Sequence, residues 1–270
     1  QPIGKYHEYF ARARLEYSHD KWEKTKTRNE ITNKYSQARL ALGKNFIFDG
    51  IFEVGAIAEK GDLSVDVLSV GSYDYDFYGA YVSADYDSLD SFNFPTDGNK
   101  LSLKVLWSHD EYTKTFTQYT NDDAMAVTLD WRGALGFRGH TFVGIVSLAT
   151  VDSKENSDFT IHVSELGGFL NLSGFQEDAL IGAHKAFGAL VYQYDLGRDI
   201  PGAFGLPMYL GGSVEIGNAW QIDETVRSSD LIQSGSVYLG TDTSFGPAVV
   251  GVGVASIGEY SFFLSFGKNW

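Results

Sequence analysis

Apolar and polar side chains alternate with a period of two at the carboxyl end of the chain. One face of the segment 260–270 is apolar apart from Lys268, and it holds Tyr260, Phe262, Leu264, Phe266 and Trp270. The other face is mostly small and polar, with Phe263 as its exception. Successive side chains of a β-strand point to opposite faces, so the pattern predicts a strand between two unlike environments.

The same alternation recurs along the rest of the sequence. It is strong in 7–17, 36–48, 101–108 and 125–135, and weaker in 50–60, 64–91, 139–151, 184–196, 206–220, 230–242 and 246–257. Together these segments predict about fourteen strands. No convincing amphipathic helix appears, although the charged segment 19–33 is predicted to be a loop or a short helix.

Alternation alone leaves two architectures open: a soluble sheet whose apolar face covers a core, and a membrane barrel whose apolar face contacts lipid. Large aromatic residues near the strand ends favour the barrel, because transmembrane strands carry aromatic girdles at both interfaces. These residues are Tyr9, Tyr17, Trp107, Trp131, Trp220 and Trp270. A membrane strand needs ~9–11 residues plus a turn, so 270 residues suffice for about sixteen strands. The prediction is one transmembrane antiparallel β-barrel over 1–270.

The composition agrees with this fold and excludes several functions. The formal charge is −14, which disfavours nucleic acid as a partner because phosphates need a basic surface. No run of about 18 apolar residues could form a membrane-spanning helix. There is no cysteine, so no disulfide or thiolate site is available. No signal peptide opens the chain, which leaves two interpretations: a mature start at Gln1, or a piece of a longer polypeptide.

The segment between 159 and 220 contains more specific motifs. It holds Leu166-Gly167-Gly168, then Leu172-Ser173-Gly174-Phe175, and further on Glu215-Ile216-Gly217. The sequence FPTDG at 94–98 precedes another predicted strand. With the terminal aromatic strand, these motifs resemble the bacterial surface-antigen family of outer-membrane barrels, over the region from about residue 85 to the end. That superfamily includes assembly barrels, two-partner secretion transporters and barrels fused to patatin-like lipases.

The resemblance implies a sixteen-stranded barrel in the bacterial outer membrane, with a lumen-inserted loop at about 166–183. In the family, an arginine of the loop motif pairs inside the lumen with an acidic residue of a downstream strand. Here that position is Ser173, whose hydrogen bond to Glu215 would be weaker than a charged pair. The Leu-Ser-Gly variant resembles the patatin-fused branch, the type Vd autotransporters. This implies a type V secretion translocator that anchors, and helps to export, an N-terminal patatin-like phospholipase.

The inward positions are expected to be polar, so that the lumen is wet enough for a chain or a loop to pass. The lumen residues predicted from the alternation are Arg12, Arg14, Gln37, Arg39, Lys104, Asp130 and Arg132. The resemblance implies that the last strand is the signal to the outer-membrane assembly machinery, through Phe262, Leu264, Phe266 and Trp270. The expected partners are outer-membrane lipid, that machinery and a fused passenger, while pairing of two copies is left open.

No catalytic, metal or cofactor site is expected in this domain. The Gly-x-Ser-x-Gly motif of patatin-type hydrolases does not occur. The histidines are expected at the surface and lack the spacing of a metal site: His7, His19, His109, His140, His162 and His184. The other functions left open are an assembly or insertion barrel, a two-partner secretion pore, a passive porin, and a soluble sugar-binding β-protein.

Overall fold

The computed structural model of the chain describes residues 2–3, 8–24, 29–46, 49–66, 72–114, 118–154, 160–197 and 205–267. The strands are β1 (Pro2–Ile3), β2 (Tyr9–Lys24), β3 (Asn29–Phe46), β4 (Gly50–Asp66), β5 (Ser72–Asp87), β6 (Asp97–Lys114), β7 (Gln118–Phe137), β8 (His140–Ser153), β9 (Ser164–Leu166), β10 (Leu180–Gly182), β11 (His184–Gly197), β12 (Met208–Trp220), β13 (Ile232–Thr243), β14 (Gly246–Ala255) and β15 (Tyr260–Phe266). A single 3-10 turn lies at Ser228–Asp230. Within these ranges, no helix is long and apolar enough to cross a membrane.

In the described residues, one antiparallel sheet contains 13 strands, in the order β1 to β8 followed directly by β11 to β15. The short strands β9 and β10 pair with each other in a separate two-stranded sheet, inside the connection from β8 to β11. Each strand of the large sheet therefore pairs with its neighbour in sequence, apart from the step across β9 and β10. This up-and-down order is what short connections between antiparallel strands produce. The predicted all-β antiparallel architecture is confirmed.

The prediction of a loop or short helix over 19–33 is wrong. In the structure β2 continues to Lys24 and β3 begins at Asn29, so most of this charged segment is strand. The strands β2 to β7 are 16 to 20 residues long. Because ~9–11 residues suffice to cross a bilayer, part of each strand lies outside it. Charged residues are solvated there, so the apolar alternation that marks the membrane segment is lost although the strand continues.

The two edges of the large sheet are β1 with β2 on one side and β15 on the other. The part of the chain that the structure describes contains no ladder between β15 and either of the first two strands. Its 13 strands compare with about sixteen expected from the length of the chain. The sheet is nevertheless strongly curved. Its curvature is indicated by the connection between β8 and β11, which contacts both β6 and β15.

The outward face of the sheet is a continuous apolar belt. Its exposed large side chains include Leu15, Tyr17, Leu40, Leu42, Val54, Tyr78, Trp107, Leu135, Leu148, Leu190, Val214, Val252, Phe262 and Leu264. A soluble protein rarely exposes an apolar surface of this extent, whereas a membrane barrel requires it. Trp220 does not belong to this belt as predicted. It is 4% exposed, and its backbone lies against Gly182 of the inserted connection.

Leu40→Arg is expected to destabilise the folded chain by about 2–4 kcal/mol, because it places a charge near the middle of the lipid-facing surface. Leu40 is 66% exposed. It lies opposite Ala13, which is midway between Tyr9 and Tyr17 on β2. Urea unfolding in lipid vesicles measures the effect. Phe46→Arg, on the same outward face but at the end of the strand, is the control and should cost less than about 1 kcal/mol. Equal costs at both positions would contradict the lipid-facing assignment.

The inward faces of the strands are packed by three large apolar clusters. One lies on β3 to β6 around Ile57, Phe77 and Tyr81. A second surrounds Phe94 and Tyr238, and a third surrounds the connection between β8 and β11. These aromatic and aliphatic side chains share the interior with the polar residues predicted to line it, so a lumen wet enough for a chain to pass stays a prediction.

Candidate functional site

The connection between β8 and β11 lies inside the curved sheet, and its residues 160–183 are called the plug below. The β9–β10 hairpin forms its stem, with Leu166 opposite Leu180 and Ser164 opposite Gly182. Its tip, between the two short strands, contains the Leu-Gly-Gly and Leu-Ser-Gly-Phe motifs. Most of the tip is buried, so the structure places the predicted lumen loop in the interior of the sheet.

The tip reverses direction through backbone conformations that glycine favours. Gly167 has φ +134°, and a Cβ there would lie 2.4 Å from Gln176 O, so only glycine fits. Leu170 and Leu172 also have positive φ, 56° and 77°. For a residue with a side chain such conformations cost on the order of 1–3 kcal/mol, so the tip needs strong contacts to hold it.

Those contacts centre on Ser173 and Glu215. The Ser173 backbone N–H donates to Glu215 Oε2 and its hydroxyl donates to Oε1, both at 2.6 Å. Ser234 Oγ donates to Oε2 at 3.0 Å, and Ser213 Oγ donates to Oε1. Glu215 is 4% exposed and Ser173 is fully buried. Four donors match the lone pairs of one carboxylate, so the buried acid is satisfied by hydrogen bonds without a cation.

Ser173 also links the plug to the last strand of the sheet. Its carbonyl oxygen accepts a hydrogen bond from Ser261 Oγ on β15, and its Oγ accepts one from Leu170 N at 3.0 Å. Glu215 lies on β12 and Ser234 on β13. One serine of the plug is therefore bonded directly to two strands of the sheet and, through Glu215, to a third.

Two glycines allow the plug to approach the sheet this closely. A Cβ at Gly253 on β14 would lie 1.9 Å from Ser173 O, and one at Gly174 would lie 2.4 Å from Ala255 N. Both distances are far below contact separation and involve backbone atoms. Gly217 is similar, since a Cβ there would lie 2.9 Å from Ala186 O of the neighbouring strand. The small residues in these positions are thus required by close backbone approach.

Apolar side chains of the motif complete the docking. Leu166 and Leu172 are fully buried, and Phe175 is buried beside Phe187 of β11 and Ala255 of β14. At the far side of the tip, Phe169 packs edge-on against Tyr238, with 4.9 Å between the ring centroids. The plug tip therefore combines a polar anchor at Ser173 with hydrophobic burial on both sides.

The turn between β5 and β6, residues 88–96, covers the same interior from the other end of the strands. Phe94 stacks on Tyr209 at 4.5 Å between ring centroids and belongs to the cluster that contains Leu170 of the plug. Gln193 Nε2 donates to Pro95 O at 3.2 Å, which ties the turn to β11. The sequence indicated a turn here through FPTDG but not its position across the lumen.

Asp90 holds this turn together from within. It accepts bonds from Thr96 N at 2.8 Å, from Asp97 N at 3.1 Å and from Thr96 Oγ1. Partial burial opposes the charged form, but these hydrogen bonds outweigh it and lower the pKa of the Asp90 carboxyl. The turn is therefore fully bonded at neutral pH and loses this support only in acid.

The predicted lumen residues lie on inward faces but do not form one group. Arg12 pairs with Glu53 at 2.8 Å, and Arg14 pairs with Glu16 at 3.1 Å. Arg39 Nε donates to Gln37, whose amide donates to Glu59, and Lys104 lies over the Tyr81 ring. On β7, Asp130 accepts from Ser147 Oγ, and Arg132 donates to Phe92 O at 3.3 Å. Apart from this last bond, these contacts are with other residues of the wall.

His162 is a functional candidate that sequence reasoning missed. The expectation that it lies at the surface is wrong, because the plug carries it into the interior against Ser108 and Asp110 of β6. His19, His109, His140 and His184 lie exposed or half-exposed on strands, and His7 lies outside the described residues. The signal that could have found His162 is its position shortly before the Leu-Gly-Gly motif of the inserted loop.

The predicted carboxyl-terminal signal residues Phe262, Leu264 and Phe266 lie on the outward face of β15 and are exposed. Trp270 lies outside the described residues. Phe263, the exception to the alternation, faces inward and packs against Phe169 of the plug at 5.4 Å between ring centroids. Within the described ranges, no group of three or more His, Cys, Asp or Glu side chains is arranged to hold a metal ion.

Comparison with known proteins gives similarity in structure alone. No protein-family model matches the chain, and no curated protein matches it. Among solved structures, BamA from Haemophilus ducreyi lacking POTRA domains 1–3 matches 94% of this chain with a TM-score of 0.72 and 11% identity. The fold is that of an outer-membrane β-barrel. The chain spans 58% of the length of that BamA chain.

Two other solved barrels match less well in shape. The β-domain of the Bordetella autotransporter BrkA has a TM-score of 0.39 at 10% identity, with 95% of each chain covered. CdiB from Acinetobacter baumannii has a TM-score of 0.40 at 9% identity, with 94% of this chain and 64% of that chain covered. These scores are too low to support a shared topology beyond the barrel class.

Proposed function

We propose that this chain is a plugged barrel of the bacterial outer membrane that anchors, and helps to translocate, a polypeptide attached to it. The observation that carries the proposal is the docking of Ser173 on Glu215, which holds a closing segment inside the sheet. The exposed apolar belt supports the membrane location, because that surface is stable only against lipid.

The plug can leave the interior without loss of the sheet. β8 pairs directly with β11 over ten residue pairs, from Lys185 opposite Ala149 to Tyr194 opposite His140. β9 and β10 pair only with each other among the described residues. Displacement of the plug therefore breaks the bonds to Glu215 and Ser261 but none of the ladder bonds of the large sheet. A removable plug in a permanent wall is what a gated translocator needs.

The passenger we propose is an N-terminal patatin-like lipase, which places the chain in type V secretion as an autotransporter. Support comes from Ser173 at the position where related loops carry arginine, and from a Glu215 pocket built for neutral donors. The catalytic chemistry would belong to the passenger. The test is the sequence upstream of Gln1. A Gly-x-Ser-x-Gly domain there supports the proposal, and periplasmic substrate-binding repeats would contradict it.

A second candidate is an assembly barrel that inserts other outer-membrane proteins. The observation that favours it is the similarity to the BamA barrel, with a TM-score of 0.72 over 94% of this chain. Reconstitution in liposomes separates the two functions. An insertion barrel accelerates the folding of a urea-unfolded outer-membrane protein added in excess, whereas an anchor for its own passenger leaves that folding rate unchanged.

Replacement of residues 164–182 by a short Gly-Ser linker is expected to open the barrel. The large sheet retains all its ladders, while the interior loses the segment that fills it. Single-channel recordings in planar bilayers should change from small flickering currents to large steady ones. A matched replacement of the exposed loop 223–227 should leave the currents as in the wild type. Unchanged currents after plug removal would contradict the plugging role.

A further inference from the structure

The plug does not fill the interior of the sheet. A cavity of about 760 Å³ remains between the plug tip, the turn 88–96 and the inward faces of β6, β7, β8, β11 and β15, and it is called the chamber below. Its lining includes six charged residues: Lys100, Asp130, Arg132, Glu177, Asp178 and Lys185. Empty cavities in proteins are apolar, whereas a roomy cavity with charged walls holds water. With the plug docked, the barrel therefore still contains a water-filled space beside the plug tip.

Two cations of the wall hold Phe92 of the turn at this chamber. Leu89 and Phe92 are the residues of the turn that line it. Lys100 Nζ lies 4.9 Å from the centroid of the Phe92 ring, and Arg132 donates to Phe92 O at 3.3 Å. Lys100 and Arg132 are directly opposed in the ladder of β6 and β7, where like charges repel each other. The contacts with Phe92 offset that repulsion, together with Asp87 Oδ2 at 3.1 Å from Lys100 Nζ.

The turn has anchors on the large sheet, so it keeps its position when the plug leaves. Gln193 of β11 donates to Pro95 O, and Tyr238 Oη of β13 donates to Gln193 Oε1, both at 3.2 Å. The buried ring of Phe94 reaches β13 as well. A Cβ at Gly240 would lie 2.5 Å from Phe94 Cζ, so glycine at that position makes room for the ring. The turn is thus fastened at β6 and β7 through Phe92 and at β11 and β13 through the residues after it.

We propose that the turn 88–96 is a second closure of the barrel, with Phe92 as the residue that blocks the end of the chamber. Apolar constrictions stop ions because water leaves them. The plug closes the part of the interior that it fills, and the turn closes the chamber along β6, β7 and β8. The turn is too short to cover the whole interior, so replacement of the plug still opens the remainder. This closure rests on the plugging role proposed for residues 160–183, because the chamber is the space that the docked plug leaves.

Phe92→Ala in the full chain tests the closure in planar bilayers. Loss of the ring should add a small steady leak between the flickering openings, where the wild-type current returns to the baseline. The plug should stay docked, so protease should cut within 167–178 as slowly as in the wild type. Phe245→Ala is the matched control, because Phe245 lies in the turn between β13 and β14 at the same end of the strands and is 82% exposed. It should keep the wild-type baseline.

Phe92→Cys adds a chemical rescue, since the chain has no cysteine of its own. This variant should leak as Phe92→Ala does. Its thiolate attacks the sulfenyl sulfur of benzyl methanethiosulfonate, forms a mixed disulfide and releases methanesulfinate. The attached benzyl group puts an aromatic ring back at this position and should close the leak. Methyl methanethiosulfonate reacts in the same way but adds no ring, so the leak should persist.

Heat-modifiable migration on gels shows that each variant forms the barrel. A wild-type baseline in Phe92→Ala, or a leak in Phe92→Cys that the benzyl reagent does not close, overturns the role of Phe92. A leak accompanied by rapid proteolysis within 167–178 overturns it too, because the plug has then left its site. All three results leave the plugging role intact if replacement of residues 164–182 opens the barrel. Currents that do not respond to that replacement contradict the plugging role itself, whatever Phe92→Ala does.

Discussion

Gly253→Ala is expected to expel the plug tip from the barrel and leave the sheet intact. The added Cβ would lie 1.9 Å from Ser173 O and 2.5 Å from Ser173 C, and backbone atoms on both sides cannot move apart without undocking. Overpacking of this kind costs roughly 1–3 kcal/mol or more. The ratio of undocked to docked plug should therefore rise by about 5- to 150-fold. Large steady currents in planar bilayers and rapid proteolysis within 167–178 would report the undocked state.

Gly188→Ala is the matched control for this substitution. Gly188 lies within β11 of the same sheet, but the nearest atoms to an added Cβ, in Ile145 and Ile216, are 4.0 Å away. The same chemical change should thus leave currents and proteolysis as in the wild type. If both variants behave alike, the effect of Gly253→Ala comes from the strand itself and the docking contact is not what closes the barrel.

Glu215→Gln is expected to release the plug because it removes hydrogen bonds, whereas the size of the side chain stays nearly the same. The amide keeps one acceptor oxygen and turns an NH2 group toward hydroxyl or backbone donors, so the bonds from Ser173 cannot both remain. Hydrogen bonds to a charged group contribute about 1.5–3 kcal/mol each. Loss of one of them should raise the undocked population by at least about tenfold, at about 1.4 kcal/mol per factor of ten. Currents and protease sensitivity should follow those of Gly253→Ala.

Asp223→Asn is the control for the loss of one negative charge, because Asp223 lies in an exposed loop after β12. It should leave the plug docked. Glu215→Gln should also keep the barrel itself, as judged by heat-modifiable migration, because Glu215 contributes its backbone to the ladders with β11 and β13 in either form. A variant that retains the small flickering currents would show that the carboxylate does not hold the plug.

Several features of the fold could be predicted from sequence because they depend on local pattern. The apolar side chains at every second position, such as Leu40 and Leu42, identify the lipid face without any knowledge of strand pairing. The prediction over 19–33 was wrong because this alternation is absent from that part of β2 and β3. Beyond the bilayer neither face of a strand meets hydrocarbon, so no alternation remains to identify it.

The candidate site is only partly visible in the sequence. The motif around Ser173 and the inward parity of Glu215 were accessible from spacing and resemblance. The contacts from Ser234 and Ser261 were not, because these serines resemble the other small polar residues of inward strand faces. His162 was missed because nothing adjacent in sequence shows that Asp110 and Asp122 are opposed on neighbouring strands.

The sequence alone therefore determined the strand class, the apolar and polar faces, and the glycine-rich loop that interrupts them. These are properties of each segment and its immediate neighbours. Only the tertiary structure decided that Ser261 joins the contact of Ser173 with Glu215, and that His162 meets a pair of buried acids. Those contacts join residues 88 and 52 positions apart in the chain. The curvature of the sheet brings them together, and no single segment encodes that curvature.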